Sequence, residues 1–325
     1  MAHQIGIIGL GIMGQRMLNS MDAHDGFEVA VAWDPSAGAM DALAKDRPGI
    51  RRAASVEALI ADPAIGCVYI ASPPTSHLAY AMASFDAGKA VFCEKPLAVD
   101  LAEAGQVTDR VMKEGLKAAV NFPFASSLAG TAMREALESG ALGAVKQVEI
   151  EVAFAKWPRG WQEGAVGWLA RREQGGFTRE VLSHFLFLTR RLVGPLSIRS
   201  VAVDYPEDGV TAETGIEADM SAGGIPVRLL GRVEGEKDDH NRWTVTGDKG
   251  AMRICDWMNA ENFGATGWEK IDLGPADTLR PRSVRQQLDQ LSLMLQGKPH
   301  RLASFEEGYA VQGCVEALLG QHTTA

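Results

Sequence analysis

Apolar positions follow two different periods along this chain. In the first third, Gln4-Ile5-Gly6-Ile7-Ile8, Glu28-Val29-Ala30-Val31-Ala32-Trp33, Cys67-Val68-Tyr69-Ile70-Ala71, Ala90-Val91-Phe92-Cys93 and the stretch from Lys117 to Phe122 are short, nearly continuous apolar runs. Runs of this kind read as strands buried on both faces. Arg51 to Ala54 reads as a weaker strand. Helical segments alternate with them: Ser36 to Ala44, a helix capped by Ser55 and running to Ile60, one ending near Gly88, and one from Asp100 to Glu114 stopped by Gly115. Strand and helix in regular alternation predict a parallel sheet covered on both faces.

The pattern then changes. A helix is expected from Ala125 to Leu137, closed by Gly140, and a partly alternating strand from Val145 to Phe154. Further strands are expected at Ser197 to Val203, Thr211 to Met220, Ile225 to Val233, Arg242 to Thr246 and Ala251 to Cys255. Gly223-Gly224 and Asp248-Lys249-Gly250 are turn signals between neighbours, so hairpins in a largely antiparallel sheet follow. Val284, Leu288, Leu291 and Leu295 stripe one closing helix, and Ser304 with Glu307 spells a capping box for another. This change of pattern divides the chain into residues 1–121 and 122–325.

Composition narrows the class. With 325 residues, 46% hydrophobic and 22% charged, the chain can bury two ordinary globular cores. A net charge of −9 and Arg pairs that stand alone speak against a nucleic-acid or anionic-membrane surface. No apolar run approaches the ~20 residues of a membrane span, and Met1-Ala2-His3 leads straight into a strand, leaving no signal peptide. Cys67, Cys93, Cys255 and Cys314 are too scattered for a metal or disulfide framework. A cytoplasmic protein without a metal is expected.

The candidate chemistry begins at the first turn. Gly9, Gly11 and Gly14 form a G-x-G-x-x-G turn from strand to helix. In dinucleotide-binding βαβ units Gly9 would permit the tight turn, Gly11 the approach of a pyrophosphate, and Gly14 close helix packing, with Ile12 and Met13 opening the helix whose free N–H groups meet the phosphates. Similar turns also close ordinary strand–helix junctions. Asp34 ends the second strand 20 residues after Gly14, where such a unit places the acid that binds the adenosine ribose. A carboxylate there accepts ribose hydroxyls and repels a 2′-phosphate, and Pro35-Ser36-Ala37-Gly38 offers no basic residue. NAD is therefore expected over NADP; the alternative for Asp34 is a turn or cap acid ahead of Pro35.

Two later strands deliver Ser72-Pro73-Pro74-Thr75-Ser76-His77 and Glu94-Lys95-Pro96 to the sheet edge where open α/β folds bind ligands. His77 either lines the cofactor crevice or caps and packs. The glycine turn with Asp34, the S-P-P-x-x-H segment and E-K-P, in this order, resemble the Gfo/Idh/MocA oxidoreductases, which include glucose–fructose oxidoreductase and inositol dehydrogenases. The resemblance implies an N-terminal Rossmann domain with a doubly wound parallel sheet. It also implies a C-terminal α/β substrate domain whose large, mostly antiparallel open sheet packs on another subunit as a homodimer or homotetramer. Within it Lys95 would lie beside the nicotinamide and the substrate hydroxyl, with Ser72, Pro73, His77 and Glu94 around the cofactor.

The second half fits the same resemblance. Gly175-Gly176-Phe177-Thr178-Arg179-Glu180-Val181-Leu182-Ser183-His184 looks like the family's glycine-rich turn into a helix carrying D-x-x-x-H. A helix would stack Glu180 and His184 on one face. Departures from the family pattern are Glu180 for Asp, Phe177 for the third glycine, Phe187 for an Asp, and Pro123-Phe124 for an Arg-aromatic pair. They bear on the substrate pocket and leave the reaction class in place.

Oxidising a secondary alcohol with NAD needs a base and a hold on the carbinol oxygen. A free Lys, with pKa near 10.4, is neutral at pH 7 only at a cost of ~4.6 kcal/mol, whereas His, near 6.5, needs almost none. His184 is therefore expected as base, Lys95 as the cation stabilising the developing alkoxide, and Glu180 as orienter of the imidazole or ligand of a second hydroxyl. Trp157, Trp161 and Trp168 would give a sugar ring a stacking face or serve as core; Arg159 would bind an acidic substrate group or sit at the surface. The expected function is hydride transfer between nicotinamide and a polyol, cyclitol or sugar-like substrate. A dihydrodiol or imine-type reductase, an NAD-redox-cycling hydrolase, or a non-enzymatic cofactor-sensing regulator are the alternatives.

Overall fold

The computed structural model describes residues 2–320, and among these the strands form two sheets. The first sheet contains β1 (His3–Ile8), β2 (Phe27–Trp33), β3 (Arg51–Arg52), β4 (Cys67–Ile70), β5 (Ala90–Glu94) and β6 (Ala118–Asn121). Its order is β3-β2-β1-β4-β5-β6, with every pair parallel. The order reverses between β1 and β4, the topological switch point at which open α/β sheets bind ligands beyond their strand ends.

Local sequence explains the intervening helices: α1 (Ile12–Asp22), α2 (Ala37–Asp46), α3 (Val56–Ile60), α4 (His77–Asp86) and α5 (Leu101–Glu114). Ser36, Ser55 and Asp100 each cap a helix by accepting a backbone N–H with the side chain. Gly115 ends α5 at φ 62°, a left-handed cap. Helix α1 differs, because its N-cap is Gly11 and no side chain caps it.

The second sheet follows α6 (Leu128–Glu138), which is capped by Ser127. It is built from β7 (Val145–Ala153), β8 (Leu196–Asp204), β9 (Gly215–Ala222), β10 (Ile225–Arg232), β11 (His240–Gly247), β12 (Ala251–Cys255), β13 (Asn259–Gly264) and β14 (Gly267–Lys270). The order β14-β13-β12-β11-β7-β10-β9-β8 is antiparallel except for the β7–β10 pair. Its apolar face buries Val148, Ile150, Met220, Leu229, Trp243 and Ile254. The opposite face is charged. Arg242 pairs with Glu151, and Arg253 pairs with Glu261 at 2.6 Å while lying 4.1 Å over the Trp268 ring.

Two short helical pieces interrupt the second unit, α7 (Val166–Leu169) and α8 (Ser183–Leu192), and two long helices close the chain, α9 (Ala276–Leu295) and α10 (Phe305–Leu318). The capping box forms: Ser304 Oγ accepts the Glu307 N–H at 3.1 Å and Glu307 accepts the Ser304 N–H at 3.0 Å.

Two expectations require correction. The division at residue 121 is too simple, because the compact units are 1–126 with 283–309, and 127–282 with 310–325. Leu288, Leu291, Met294 and Leu302 complete the core of the first unit beside Ile5, Leu18 and Phe92. The strand expected from Thr211 begins only at Gly215, because Asp208 turns the chain by accepting the N–H groups of Val210 and Thr211, and Ala212 then bonds to Ala170. Strands β13 and β14, poor in β-branched residues, form because β12 supplies a pairing edge.

Candidate active site

In the first unit the glycine turn has three distinct environments. Gly9 adopts φ +95°, and a Cβ there would meet the Ala71 carbonyl at 2.6 Å. A Cβ on Gly14 would lie 1.9 Å from the Gly9 oxygen, so helix and strand approach too closely for any side chain. Gly11 is the opposite case. Nothing lies within 4 Å of the Cβ it lacks, and as N-cap it gives the start of α1 no side-chain hydrogen bond. An uncapped helix start beside vacant room fits a pyrophosphate. Asp34 Oδ2 accepts the Leu10 N–H at 2.7 Å and Oδ1 accepts the Ser36 N–H at 2.8 Å. A carboxylate offers about four acceptor positions, so capacity remains for ribose hydroxyls.

Ser72 and Pro73 follow β4 at the same sheet edge, Ser72 Oγ lying 2.7 Å from Ser76 Oγ. His77 is 1% exposed, and its Nδ1 and Nε2 lie 2.8 Å from the carbonyl oxygens of Pro96 and Ser72. It therefore acts as a strut between two loops and offers no surface to a cofactor. Burial, more than the Lys95 charge, lowers its pKa. Glu94 is likewise turned inward. Its carboxylate accepts from Tyr69 Oη and from Asn121 Nδ2 at 2.6 Å, and Asn121 Oδ1 accepts from Gln287 Nε2 at 2.6 Å. Burial and then the Glu94 charge push the Tyr69 phenol far up. Glu94 thus anchors the end of β5, and half-buried Lys95 is the residue of this motif placed just past the strand.

In the second unit the helix expected to carry Glu180 and His184 starts as a single π turn, Thr178–Leu182, before α8 begins. π turns occur preferentially at functional sites. Buried groups hold this one from both sides. Arg179 forms two bonds with Glu316, at 2.8 and 2.6 Å, and donates to the carbonyls of Arg172 and Gly175. Glu213, 2% exposed, accepts the Thr178 N–H at 2.7 Å, and burial raises its pKa. Gly176, at φ +95°, is required here, since a Cβ would lie 2.2 Å from the Glu213 carboxylate.

Glu180 is half-buried and His184 is 7% exposed. Around them stand Arg159, expected at an acidic substrate group or at the surface and found buried, and two residues that motif reading did not find, Asp239 and Trp257. Arg159, 5% exposed, donates to Gln162 Oε1 at 3.0 Å and Asp239 Oδ2 at 2.6 Å, with Glu180 Oε1 4.0 Å from Nη2. Trp257 sets its ring at 86° to the His184 imidazole, centroids 5.3 Å apart, and donates its indole N–H to Asp239 at 3.0 Å. The available signal for Trp257 was an aromatic following Asp256 between two strand runs.

The other aromatic candidates separate. Trp157, half-buried, packs on Phe154 and Phe177 and donates to the Leu169 carbonyl at 3.1 Å, which makes it a packing residue of this unit. Trp161 is 47% exposed with the Arg159 guanidinium 4.8 Å from its centroid; Trp168 is half-buried. Phe177 occupies the place of the missing glycine because Gly231 makes room, a Cβ there falling 2.4 Å from the phenyl ring. The buried Cys67 thiol is pushed up to about 12 by its surroundings. Among the described residues no group of three or more His, Cys, Asp or Glu is placed to hold a metal, and no helix is long and apolar enough to cross a membrane.

Comparison with known proteins bears on the fold and the family. Residues 3–122 match the oxidoreductase family with an NAD-binding Rossmann fold, and residues 131–253 match the GFO/IDH/MocA C-terminal domain. An uncharacterized oxidoreductase of Streptococcus pneumoniae serotype 4 is 25% identical over 82% of this chain and 71% of its own length. Inositol 2-dehydrogenase 2 of Saccharopolyspora erythraea is 32% identical over 44% of this chain and 43% of its own. The structure of levoglucosan dehydrogenase with NADH and L-sorbose superposes with a TM-score of 0.84 over 98% of this chain and 96% of that one, at 18% identity, a likeness of fold. The parallel sheet with its glycine turn, the eight-stranded partner sheet and both family matches lead to one conclusion: this chain belongs to the Gfo/Idh/MocA family of NAD-binding oxidoreductases.

Proposed function

We propose that this protein is an NAD(H)-dependent dehydrogenase or reductase that moves a hydride between nicotinamide and a secondary hydroxyl or carbonyl of an uncharged polyol, cyclitol or sugar. The observation that carries the reading is Asp34, fixed by the Leu10 and Ser36 N–H groups beside the open position at Gly11. Its charge favours a free ribose 2′-hydroxyl over a phosphate. When bound, NAD supplies the hydride acceptor.

The chain's own groups supply the rest. His184 takes the hydroxyl proton in the oxidation direction, because a neutral imidazole is available near pH 7. Lys95, at the end of β5, provides positive charge where an alkoxide develops. Two carboxylates, Asp239 and Glu180, face the single Arg159 guanidinium. That cluster has no spare positive charge, which argues for a neutral substrate over a sugar acid. Related proteins acting on inositol and levoglucosan support the same class. Self-association through the charged face of the second sheet belongs to this reading; a monomer by light scattering overturns it.

The deciding experiment is steady-state turnover of the purified protein on a panel of polyols, cyclitols and sugars with NAD or NADP. Higher kcat/KM with NAD on a neutral substrate supports the reading; higher kcat/KM with NADP, or no turnover, overturns it. A pH–rate profile unchanged in His184→Asn removes His184 as the base.

A further inference from the structure

The loop between β12 and β13 contains two consecutive non-glycine residues with positive φ, Asp256 at 47° and Trp257 at 70°. Asp tolerates the left-handed region through its short polar side chain, but a bulky aromatic there is an outlier. Such strain persists only where surrounding contacts over-determine it. Here they do. The Trp257 N–H donates to Asn241 Oδ1 at 2.9 Å, Asn241 is fully buried, and Asn241 Nδ2 donates to Asp239 Oδ1 at 3.1 Å. Asp239 Oδ2 in turn accepts the Trp257 indole N–H at 3.0 Å and the Arg159 guanidinium at 2.6 Å. One amide and one carboxylate therefore fix both the backbone and the ring of Trp257.

The ring so held stands edge-to-face with His184 and packs at 5.5 Å on Phe185. Contacts consequently run from His184 through Trp257, Asp239 and Arg159 towards Glu180, which returns to His184 along the helix. From this geometry we infer that Trp257 is the positioning residue of the site: it restricts rotation of the His184 ring and so aims the nitrogen that takes the proton. The inference rests on the reading of His184 as base.

Trp257→Gly and Trp257→Phe test it together. Glycine makes the left-handed backbone comfortable and removes the ring; phenylalanine keeps a ring against His184 and loses the bond to Asp239. We expect kcat to fall roughly 10- to 100-fold in Trp257→Gly, as misaimed catalytic groups do. KM for NAD stays unchanged, Tm does not fall in step, and Trp257→Phe recovers most of kcat. Native kcat in Trp257→Gly, or a loss matching the loss of folded protein, overturns the inference. If the native protein turns over none of the panel, the proposed function fails on its own account, and NMR decides this one. One sharp, ring-current-displaced set of His184 signals in the native protein that broadens or multiplies in Trp257→Gly supports it. Signals without displacement in the native protein, or unchanged in Trp257→Gly, overturn it.

Discussion

Asp34, at the end of the second strand, accepts the N–H of Leu10 within the glycine turn at 2.7 Å. The residue expected to hold ribose therefore also sets the turn expected to hold phosphate. In Asp34→Asn the charge is lost while one acceptor oxygen remains, and kcat/KM with NAD should fall roughly tenfold as a charge-assisted bond is lost, narrowing the preference over NADP. Asp34→Ala should also lower Tm, because two backbone donors lose their acceptor at about 1 kcal/mol each. Thermal melts beside kinetics with both cofactors separate these effects.

Gly11 and Gly14 should respond oppositely to the same change. Gly14→Ala drives a methyl group to 1.9 Å from the Gly9 oxygen and should cost about 1–3 kcal/mol or more through overpacking. Gly11→Ala meets no protein atom, so stability should hold while the Kd for NAD rises. Titration by nucleotide fluorescence and a melting curve for each variant suffice. Intact NAD affinity in Gly11→Ala would remove the pyrophosphate from this position.

Freeing Arg159 should change what the site accepts. Asp239→Asn removes one of the two carboxylates facing the guanidinium; because both Asp239 oxygens accept hydrogen bonds, a contact to Asn241, or to Trp257 and Arg159, is lost with the charge, so the readout is the ratio between two substrates and not kcat itself. Turnover of a sugar acid relative to the neutral sugar should then rise roughly tenfold or more, the value of a charge-assisted contact. Measurement of kcat/KM for matched neutral and acidic substrates checks it.

Glu213 makes stability depend on pH in a direction opposite to an ordinary paired carboxylate. Burial raises its folded pKa above the ordinary carboxylate value of 4.5, with the Thr178 hydrogen bonds and Arg179 only partly offsetting this. The folded state thus binds the proton more tightly. Its contribution is fully present below pH 4.5 and is lost as pH rises through the folded value. Glu213→Gln keeps an acceptor for the Thr178 N–H without titrating. Its Tm should match the native value in acid and exceed it at neutral pH and above; an advantage confined to acid would contradict this.

How much of this was legible in the sequence depends on the range of the contacts. The glycine turn, Asp34 and the caps at Ser36, Ser55 and Asp100 are set by residues a few positions apart, and the structure has them where the spacing predicts. Glu94 and His77 were found as motif residues, but their roles as anchors arise from Tyr69, Asn121 and two distant carbonyls. Trp257, Asp239 and Asn241 carry no motif. They reach His184 through the pairing of β11 with β12 and the turn that follows. The π turn escaped periodicity because its cause is a buried arginine paired with Glu316, far along the chain.

The late return of residues 283–309 to the first unit has a bearing on biosynthesis. Leu288, Leu291, Met294 and Leu302 lie in the same core as Ile5 and Leu18. A ribosome that has finished every strand of the nucleotide-binding sheet has therefore not yet released the apolar side chains that seal it. The nascent half must wait, open on one flank, through translation of the entire second sheet.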